Sequence, residues 1–193
     1  MTENKTTRTS NGTAPYEEMD RSARDRVDRL ADDLEAELGG MNMIELAMTK
    51  RVGRLGAMLE EAMAACLAPW ELTRADYGAL TGLRSVGEPY ALRPTDLRQR
   101  ILLSSGGTSN VLNRLAKAGL IEREPDASDG RSSLVRLTSE GIETSEQIAR
   151  AWATYQLDFF RKVPADVCRV AADSLRTILI ALGDHDPVES PPG

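Results

Sequence analysis

The sequence predicts a mainly α-helical protein with one small β-hairpin. Of its 193 residues, 41% are hydrophobic but only 4% are aromatic, a composition that favours helices over a β-sandwich. Hydrophobic residues recur at helical spacing along most of the chain, and the alternation typical of strands is confined to two short runs. The two cysteines and one histidine are too few for a disulfide framework or a multi-histidine metal site.

Two helices are predicted in the N-terminal third, behind a polar arm. Residues 1–15 lack hydrophobic periodicity, so we expect a disordered arm. Helical spacing predicts an extra amphipathic helix over residues 20–38, within an N-terminal segment 16–40 that ends in two glycines. The same spacing predicts a long, deeply packed helix over residues 41–67, which Pro69 ends.

The next part of the chain is predicted to hold two helices joined by a link. A third helix is expected to begin after Thr73, whose hydroxyl suits an N-cap, and to end at Gly87. Residues 89–92 are too few for more than an extended, strand-like link. Pro94 suits the first turn of a short helix over residues 95–102.

A further short helix completes a predicted helix-turn-helix. The run Ser-Ser-Gly-Gly at residues 104–107 predicts a break, and a helix is expected over residues 108–118 with Gly119 as its left-handed cap. Two short helices around a turn of small residues are the minimum description of a helix-turn-helix. The second helix of such a pair presents its outward face to the major groove of DNA.

A β-hairpin is predicted directly after this helix. Residues 120–123 and 133–137 alternate in hydrophobicity, and the loop between them contains Asp129 and Gly130. This wing makes residues 71–138 a predicted winged helix-turn-helix lobe that binds DNA.

The C-terminal part is predicted to form two helices and a disordered, Pro-rich tail over residues 184–193. The helices are expected over residues 139–162 and 164–182. Residues 41–70 and 139–183 carry more hydrophobic surface than one small lobe covers, which predicts that they pair two copies as a homodimer. One face of the first of these C-terminal helices collects its hydrophobic side chains: Ile142, Ala149, Trp152, Tyr155 and Phe159.

The charge distribution permits DNA contact although the net charge is −6. Residues 93–136 hold eight Lys and Arg against five Asp and Glu, an excess of +3, so the rest of the chain sums to −9. A locally basic surface on an acidic protein still docks a polyanion, although ordinary scatter of surface charge gives the same count. The candidate DNA-binding residues are Ser104, Ser105, Gly107, Thr108, Ser109, Asn110, Asn113, Arg114, Lys117, Asp129 and Arg131.

These side chains have the chemistry that DNA requires. Hydroxyls and amides bind the backbone or base edges, and a solvent-exposed Arg114 is expected to pair with guanine. Backbone N–H groups at the start of the second short helix favour a phosphate. Arg131 at the wing tip, restrained by Asp129, suits a narrow minor groove. The alternative for each is a solvated polar surface, with an incidental ion pair at the hairpin tip.

Five motifs of the sequence form a set. They are Leu72-Thr73 before an aromatic helix, Ser-Ser-Gly-Gly-Thr-Ser-Asn from residue 104, Ala-Gly-Leu-Ile-Glu-Arg from residue 118, Asp129-Gly130-Arg131, and Val-Arg-Leu-Thr from residue 135 with Gly141. Together they resemble the MarR family of bacterial winged-helix transcriptional regulators, over about residues 43–182. The resemblance implies a homodimer on a pseudo-palindromic double-stranded operator, wing arginines in minor grooves, and repression relieved by a small ligand.

The predicted N-terminal helix and residues 89–95 are similar to the urate-responsive branch of that family. The ligand residues of the branch are not matched. Gly78 stands where the branch has an acid, Ser85 and Val111 stand where it has arginines, and the first predicted helix contains no Trp. A different ligand, or none, is therefore expected.

An effector pocket is expected between the DNA-binding lobe and the pairing helices. An Arg near aromatic side chains suits a small aromatic or carboxylate ligand, whereas the alternative is that these residues are core or ordinary surface charges. Cys66, on a hydrophobic stripe without an adjacent cation, is expected to be an inert buried thiol rather than a redox switch. The candidate ligand-binding residues are Arg54, Met58, Trp70, Tyr77, Arg84 and Trp152.

The sequence therefore predicts a sequence-specific DNA-binding regulator, a repressor released by a small molecule. We expect it in the bacterial cytoplasm, at the nucleoid through its operator, without a cofactor, metal or membrane partner, because no hydrophobic run approaches about 20 residues. An enzyme is not expected, because His185 lies in the Pro-rich tail with no nucleophile in reach. The alternative is a winged-helix dimerisation or protein-interaction module that does not bind DNA.

Overall fold

The computed structural model describes residues 22–40, 42–101, 105–125 and 133–184. The predicted arm and residues 185–193 of the predicted tail lie outside them. The elements of the described chain are α1 (Arg26–Leu38), α2 (Met43–Leu67), a 3₁₀ turn (Ala68–Trp70), α3 (Arg74–Arg84), β1 (Ala91–Leu92), α4 (Pro94–Ile101), α5 (Ser105–Lys117), β2 (Ile121–Pro125), β3 (Ser133–Leu137), α6 (Ser139–Phe159) and α7 (Ala165–Ala181).

Capping side chains set where the first three helices begin. Asp25 accepts hydrogen bonds from two backbone N–H groups of the first turn, so α1 begins after it rather than at residue 20. Asn42 caps α2 in the same way. Thr73 caps α3 as predicted, and Asp76 accepts a bond from the backbone N–H of Thr73 in return.

The segment predicted to be a link is the edge strand of a three-stranded antiparallel sheet. The strand order is β1–β3–β2, with Ala91 opposite Arg136 and Leu92 opposite Val135. The predicted hairpin of β2 and β3 is confirmed. Because β3 has two edges and the hairpin covers one, β1 satisfies backbone groups on the other. A two-residue strand carries too short a pattern to be predicted from alternation.

The break predicted at residues 104–107 is wrong for residues 105–107, which the structure describes as helical. α5 begins at Ser105, so Gly106 and Gly107 lie in its first turn. Two helical glycines cost about 2 kcal/mol relative to alanine, whereas each fully buried hydrophobic side chain contributes about 1.5–3 kcal/mol. Burial of three side chains therefore outweighs the glycines: Val111, Leu112 and Leu115.

Two hydrophobic clusters organise the described chain. The lobe core joins α3, α4, α5 and the sheet through Ala79, Leu80, Leu83, Leu97, Val111, Leu112, Leu115, Leu120, Ile121, Val135 and Leu137. The junction cluster joins α2, the 3₁₀ turn, α3 and α6 through Met63, Leu67 and Ile148, against which Trp70, Leu72, Tyr77 and Trp152 pack. Leu72 packs against both clusters. Leu72 therefore connects the core of the winged-helix lobe with the cluster formed by the long helices.

The buried side of α6 coincides only in part with the hydrophobic face noted in the sequence, since Ile142 and Trp152 of that face pack against the two clusters. Gly141, Ser145 and Ile148 are buried, whereas Ala149 and Tyr155 are exposed. A Cβ atom on Gly141 would lie 1.9 Å from the carbonyl oxygen of Leu120. The missing side chain thus brings this helix onto the end of the turn that follows α5, and that contact selects which face is buried.

A large hydrophobic surface remains exposed on the single chain. No residue of α7, which lies wholly within the described part of the chain, is buried. Monomeric proteins rarely expose contiguous hydrophobic patches of this kind, which supports the predicted homodimer. No described helix is both long and hydrophobic enough to cross a membrane. The exposed side chains on α2, on α7 and at the C-cap of α7 include Ile44, Met48, Val52, Leu55, Met58, Val170, Leu175, Leu179, Ile180 and Leu182.

Candidate nucleic-acid interface

α5 presents five of the predicted DNA-binding side chains to solvent, of which Arg114 is described separately below. Ser109, Asn110, Asn113 and Lys117 are exposed, while the opposite side of the helix packs into the lobe core. Their spacing places them along one face of the helix. This face supplies a hydroxyl, two amides and one cation to an approaching polyanion.

Thr108 does not belong to this face, contrary to the prediction. It is only 4% exposed, because it precedes the buried Val111 by three residues and the buried Leu115 by seven. A hydroxyl in that position does not reach DNA without a movement of the helix. Gly107 is half-buried beside it. Ser104, Asp129, Arg131 and the side chain of Ser105 lie outside the described residues.

Arg114 is exposed as predicted, but one edge of its guanidinium is held from within the lobe. Its Nη2 donates a hydrogen bond to Asp76 Oδ1 at 2.7 Å, and its Nε donates to Oδ2 at 3.4 Å. The Asp76 side chain is 2% exposed and the Arg114 side chain 51%. This pairing was not predicted from the sequence, because the two residues are 38 positions apart.

Arg123 is a further cation at this surface that was not among the predicted DNA-binding residues. It is exposed on β2, and its Nη2 donates a hydrogen bond to Asn113 Oδ1 at 2.9 Å. The bond joins the stem of the wing to α5 and orients the amide of Asn113. The charge of Arg123 and its place directly after α5 were the signals available in the sequence.

Arg136 contributes less to the basic surface than its charge suggests. Its Nη2 lies 2.8 Å from Glu124 Oε2 across the β2–β3 pair. The excess positive charge of this segment is therefore carried by α5, with Arg114 and Lys117, and by α4 with the residue before it, where three arginines stand against Asp96, rather than by β2 or β3.

The predicted effector-binding residues do not come together as one pocket. Trp70, Tyr77 and Trp152 pack against the junction cluster, which is the core alternative considered for them. Burial raises the pKa of the Tyr77 phenol. Arg54 and Met58 are exposed on α2 instead.

Arg84, the remaining residue of that set, borders an open cavity between α3 and α6. The cavity has a volume of about 450 Å³. The guanidinium of Arg84 lies 4.5 Å from the ring centre of Tyr90, close enough for a cation–π contact. The guanidinium of Arg84 is the cation in this lining that suits a small carboxylate, while the three lining hydroxyls donate to backbone carbonyls. The lining residues are Thr81, Arg84, Ser85, Ser145, Glu146 and Ala149.

Cys66 lies in an environment that suppresses thiol reactivity. It is 2% exposed, and burial raises the pKa of its thiol. A reactive cysteine requires the opposite shift, because the thiolate is the nucleophile. The position supports the interpretation of Cys66 as an inert core residue.

The MarR family model matches residues 70–132 of this chain. A curated relative is the transcriptional regulator PecS of Dickeya dadantii, which is 28% identical over 91 residues, or 47% of this chain and 55% of PecS. The chain spans about half the length of the first curated relatives it matches.

Solved structures with the same fold cover more of the chain. A MarR family transcriptional regulator from Streptomyces coelicolor matches with a TM-score of 0.65 and 26% identity, over 74% of this chain and 97% of that one. The PcaV regulator of the same organism, solved in complex with its natural ligand, matches with a TM-score of 0.57 and 29% identity, over 67% and 92%. The predicted fold class, a mainly α winged helix-turn-helix, is confirmed.

Proposed function

We propose that this chain is a sequence-specific DNA-binding transcriptional regulator of the MarR family, whose model matches residues 70–132, and that it has no catalytic activity. The observation that carries the proposal is the exposed polar face of α5, formed by Ser109, Asn110, Asn113 and Lys117. Amides in a major groove bind base edges, and a lysine at the helix end neutralises a phosphate. The relatives named above are transcriptional regulators.

We propose that the active form is a homodimer in the bacterial cytoplasm, bound to a pseudo-palindromic duplex. The exposed hydrophobic residues of α2 and α7 provide the pairing surface. A two-fold axis between the copies places two α5 helices one helical turn of DNA apart, so half-site centres lie about 10 bp apart. Arg131 stays a proposed minor-groove contact on the strength of its sequence motif.

In vitro selection from a randomised duplex library tests the DNA-binding proposal directly. The purified protein is expected to enrich a pseudo-palindrome, with both half-sites protected in a footprint. Enrichment of no sequence, together with equal affinity for all duplexes, would favour the alternative of a dimerisation or protein-interaction module.

We further propose that a small carboxylate, aromatic or not, is the effector that releases the repressor. The cavity beside Arg84 supports this proposal. The structurally similar regulator PcaV has been solved in complex with its natural ligand. A thermal-shift screen of small carboxylates and phenols tests it, because a ligand of the folded state raises the unfolding temperature by mass action. The shift is expected to disappear in Arg84→Gln and to persist in Arg161→Gln, which changes an exposed arginine beyond α6.

A further inference from the structure

Asp76 is a buried carboxylate in the first turn of α3 that is fully occupied by hydrogen bonds. The backbone N–H of Thr73 donates to its Oδ2 at 2.9 Å, and the Thr73 hydroxyl donates to the same atom at 2.7 Å. Arg114 Nη2 donates to the other oxygen at 2.7 Å. Among the described residues, Arg114 is its one ion-pair partner. Such a charge is stable inside a protein only while it stays paired.

The pair fixes Arg114 more than a surface ion pair fixes an arginine. Asp76 is held by the cap of α3 and by burial, so it cannot follow a moving partner. The edge of Arg114 that carries Nε and Nη2 faces this carboxylate, and Nη1 has no hydrogen-bond partner within the described residues. Arg114 therefore stands on α5 in one orientation, with one end of its guanidinium open to an incoming group.

We propose that Asp76 is a positioning residue for DNA binding, which acts through Arg114 to hold the exposed face of α5 in its DNA-binding orientation. This inference depends on the proposed function. An orientation that is fixed before binding spares the complex the entropy of ordering that side chain. Because the pair also joins α3 to α5, it restrains the helix that carries Asn110 and Asn113 as well as the arginine itself.

Electrostatic attraction alone predicts tighter DNA binding when this carboxylate is lost, whereas a positioning role predicts weaker binding. Asp76 places a negative charge close to a surface that meets DNA, so its removal strengthens the attraction to every duplex. Positioning instead predicts weaker binding to the selected duplex, while a scrambled duplex is bound as well as before or better. The direction of the change therefore separates the two roles.

The test compares Asp76→Asn with Glu122→Gln, which removes an exposed carboxylate from the same lobe. Fluorescence anisotropy measures the affinity of each for the selected duplex and for a scrambled one. Asp76→Asn is expected to lose at least tenfold on the selected duplex and nothing on the scrambled one, while Glu122→Gln binds both slightly more tightly. Unchanged or tighter binding of Asp76→Asn to the selected duplex overturns the proposal. A wild-type chain that prefers no duplex contradicts the proposed function instead.

A second variant covers the case in which Asp76→Asn does not fold. Arg114→Lys keeps the positive charge but loses the two-point contact with the carboxylate. It is expected to lose selectivity for the selected duplex by the same factor, with an unchanged affinity for the scrambled one. The double variant is expected to bind like either single variant, because both act through one contact. Additive losses, or full selectivity in Arg114→Lys, overturn the proposal.

Discussion

Lys117 and Asn110 share the exposed face of α5 but are expected to affect DNA binding differently. Lys117→Ala removes one charge, so the slope of log K against log salt should become shallower by about one unit on any duplex. Asn110→Ala removes no charge and should reduce selectivity at constant slope, by about 1–3 kcal/mol at one base position of each half-site. Affinity measured at several salt concentrations checks both. Lys162→Ala, an exposed lysine after α6, should leave slope and selectivity unaltered. An unaltered slope in Lys117→Ala would exclude its phosphate contact.

Gly141 is the residue whose substitution we expect to destabilise the fold most. Alanine there places a Cβ 1.9 Å from a backbone oxygen, so α6 must move away from Leu120. Overpacking of this kind costs about 1–3 kcal/mol where side chains adjust, and more where backbone is the obstacle. Gly141→Ala should therefore lower the unfolding free energy by at least about 3 kcal/mol in urea. Gly78→Ala, with open space around the new Cβ, should gain up to about 1 kcal/mol. Equal stability of the two variants would contradict the close approach.

At the scale of elements, α1 depends on charge for its attachment to α2. Arg51 donates hydrogen bonds to Asp25 and Asp28, with 2.8 Å in each ion pair. The bond from Arg51 holds the pKa of Asp25 well below its ordinary value near 4. Val27 is the one residue of α1 that is buried. We therefore expect these ion pairs to contribute to the docking, together with Val27 and the half-buried Ala31 and Leu34.

The docking of α1 should depend on pH in a defined direction. Because the docked state lowers the pKa of Asp25, its contribution is complete above about pH 4 and is lost progressively as the pH falls below that value. NMR protection factors of α1 amides should therefore be lower at pH 3 than at pH 7. Arg51→Gln should show low protection at both pH values, whereas Arg150→Gln, which removes an exposed pair within α6, should behave like the wild type. Protection in Arg51→Gln equal to wild type at pH 7 would refute the ionic attachment.

Elements set by local signals were predictable from the sequence, and contacts between distant elements were not. Thr73 is a cap with a matching acid three residues later, and the β2–β3 hairpin has its own turn, so both were predicted. Thr108 was assigned to the wrong face because it was taken as a polar residue at the start of the helix, whereas the helical phase of Val111 and Leu115 places it on the buried side. The buried face of α6 depends on Gly141 against Leu120, a contact that no periodicity reports.

The candidate site was predictable to the same extent. Exposure of Asn110, Asn113 and Lys117 follows from helix phase, which the hydrophobic residues of α5 define. The partner of Arg114 depends on how α3 crosses α5, and the bond between Arg123 and Asn113 depends on how the wing lies against that helix. Three-dimensional packing, rather than residue type, decides both.

At the scale of the whole molecule, the hydrophobic surface of α2 and α7 requires a partner. A homodimer interface of this kind buries more than about 2,000 Å². Sedimentation equilibrium should therefore find a dimer at micromolar concentration, and Leu179→Glu should shift it toward the monomer by burying a charge in the interface. Ala116→Glu, on the exposed side of α5, should leave the dimer intact. A wild-type monomer under these conditions would rule out the proposed assembly.

The junction cluster also gives the molecule an optical property. The chain contains two tryptophans, and both pack against Met63, Leu67 and Ile148 at the meeting point of α2, α3 and α6. The tryptophan fluorescence of the protein therefore reports on this one place. Emission should redden when the packing there loosens, while events confined to the outer face of α5 leave the spectrum unaltered. The native protein thus carries its own fluorophores between the lobe proposed to bind DNA and the helices proposed to form the homodimer.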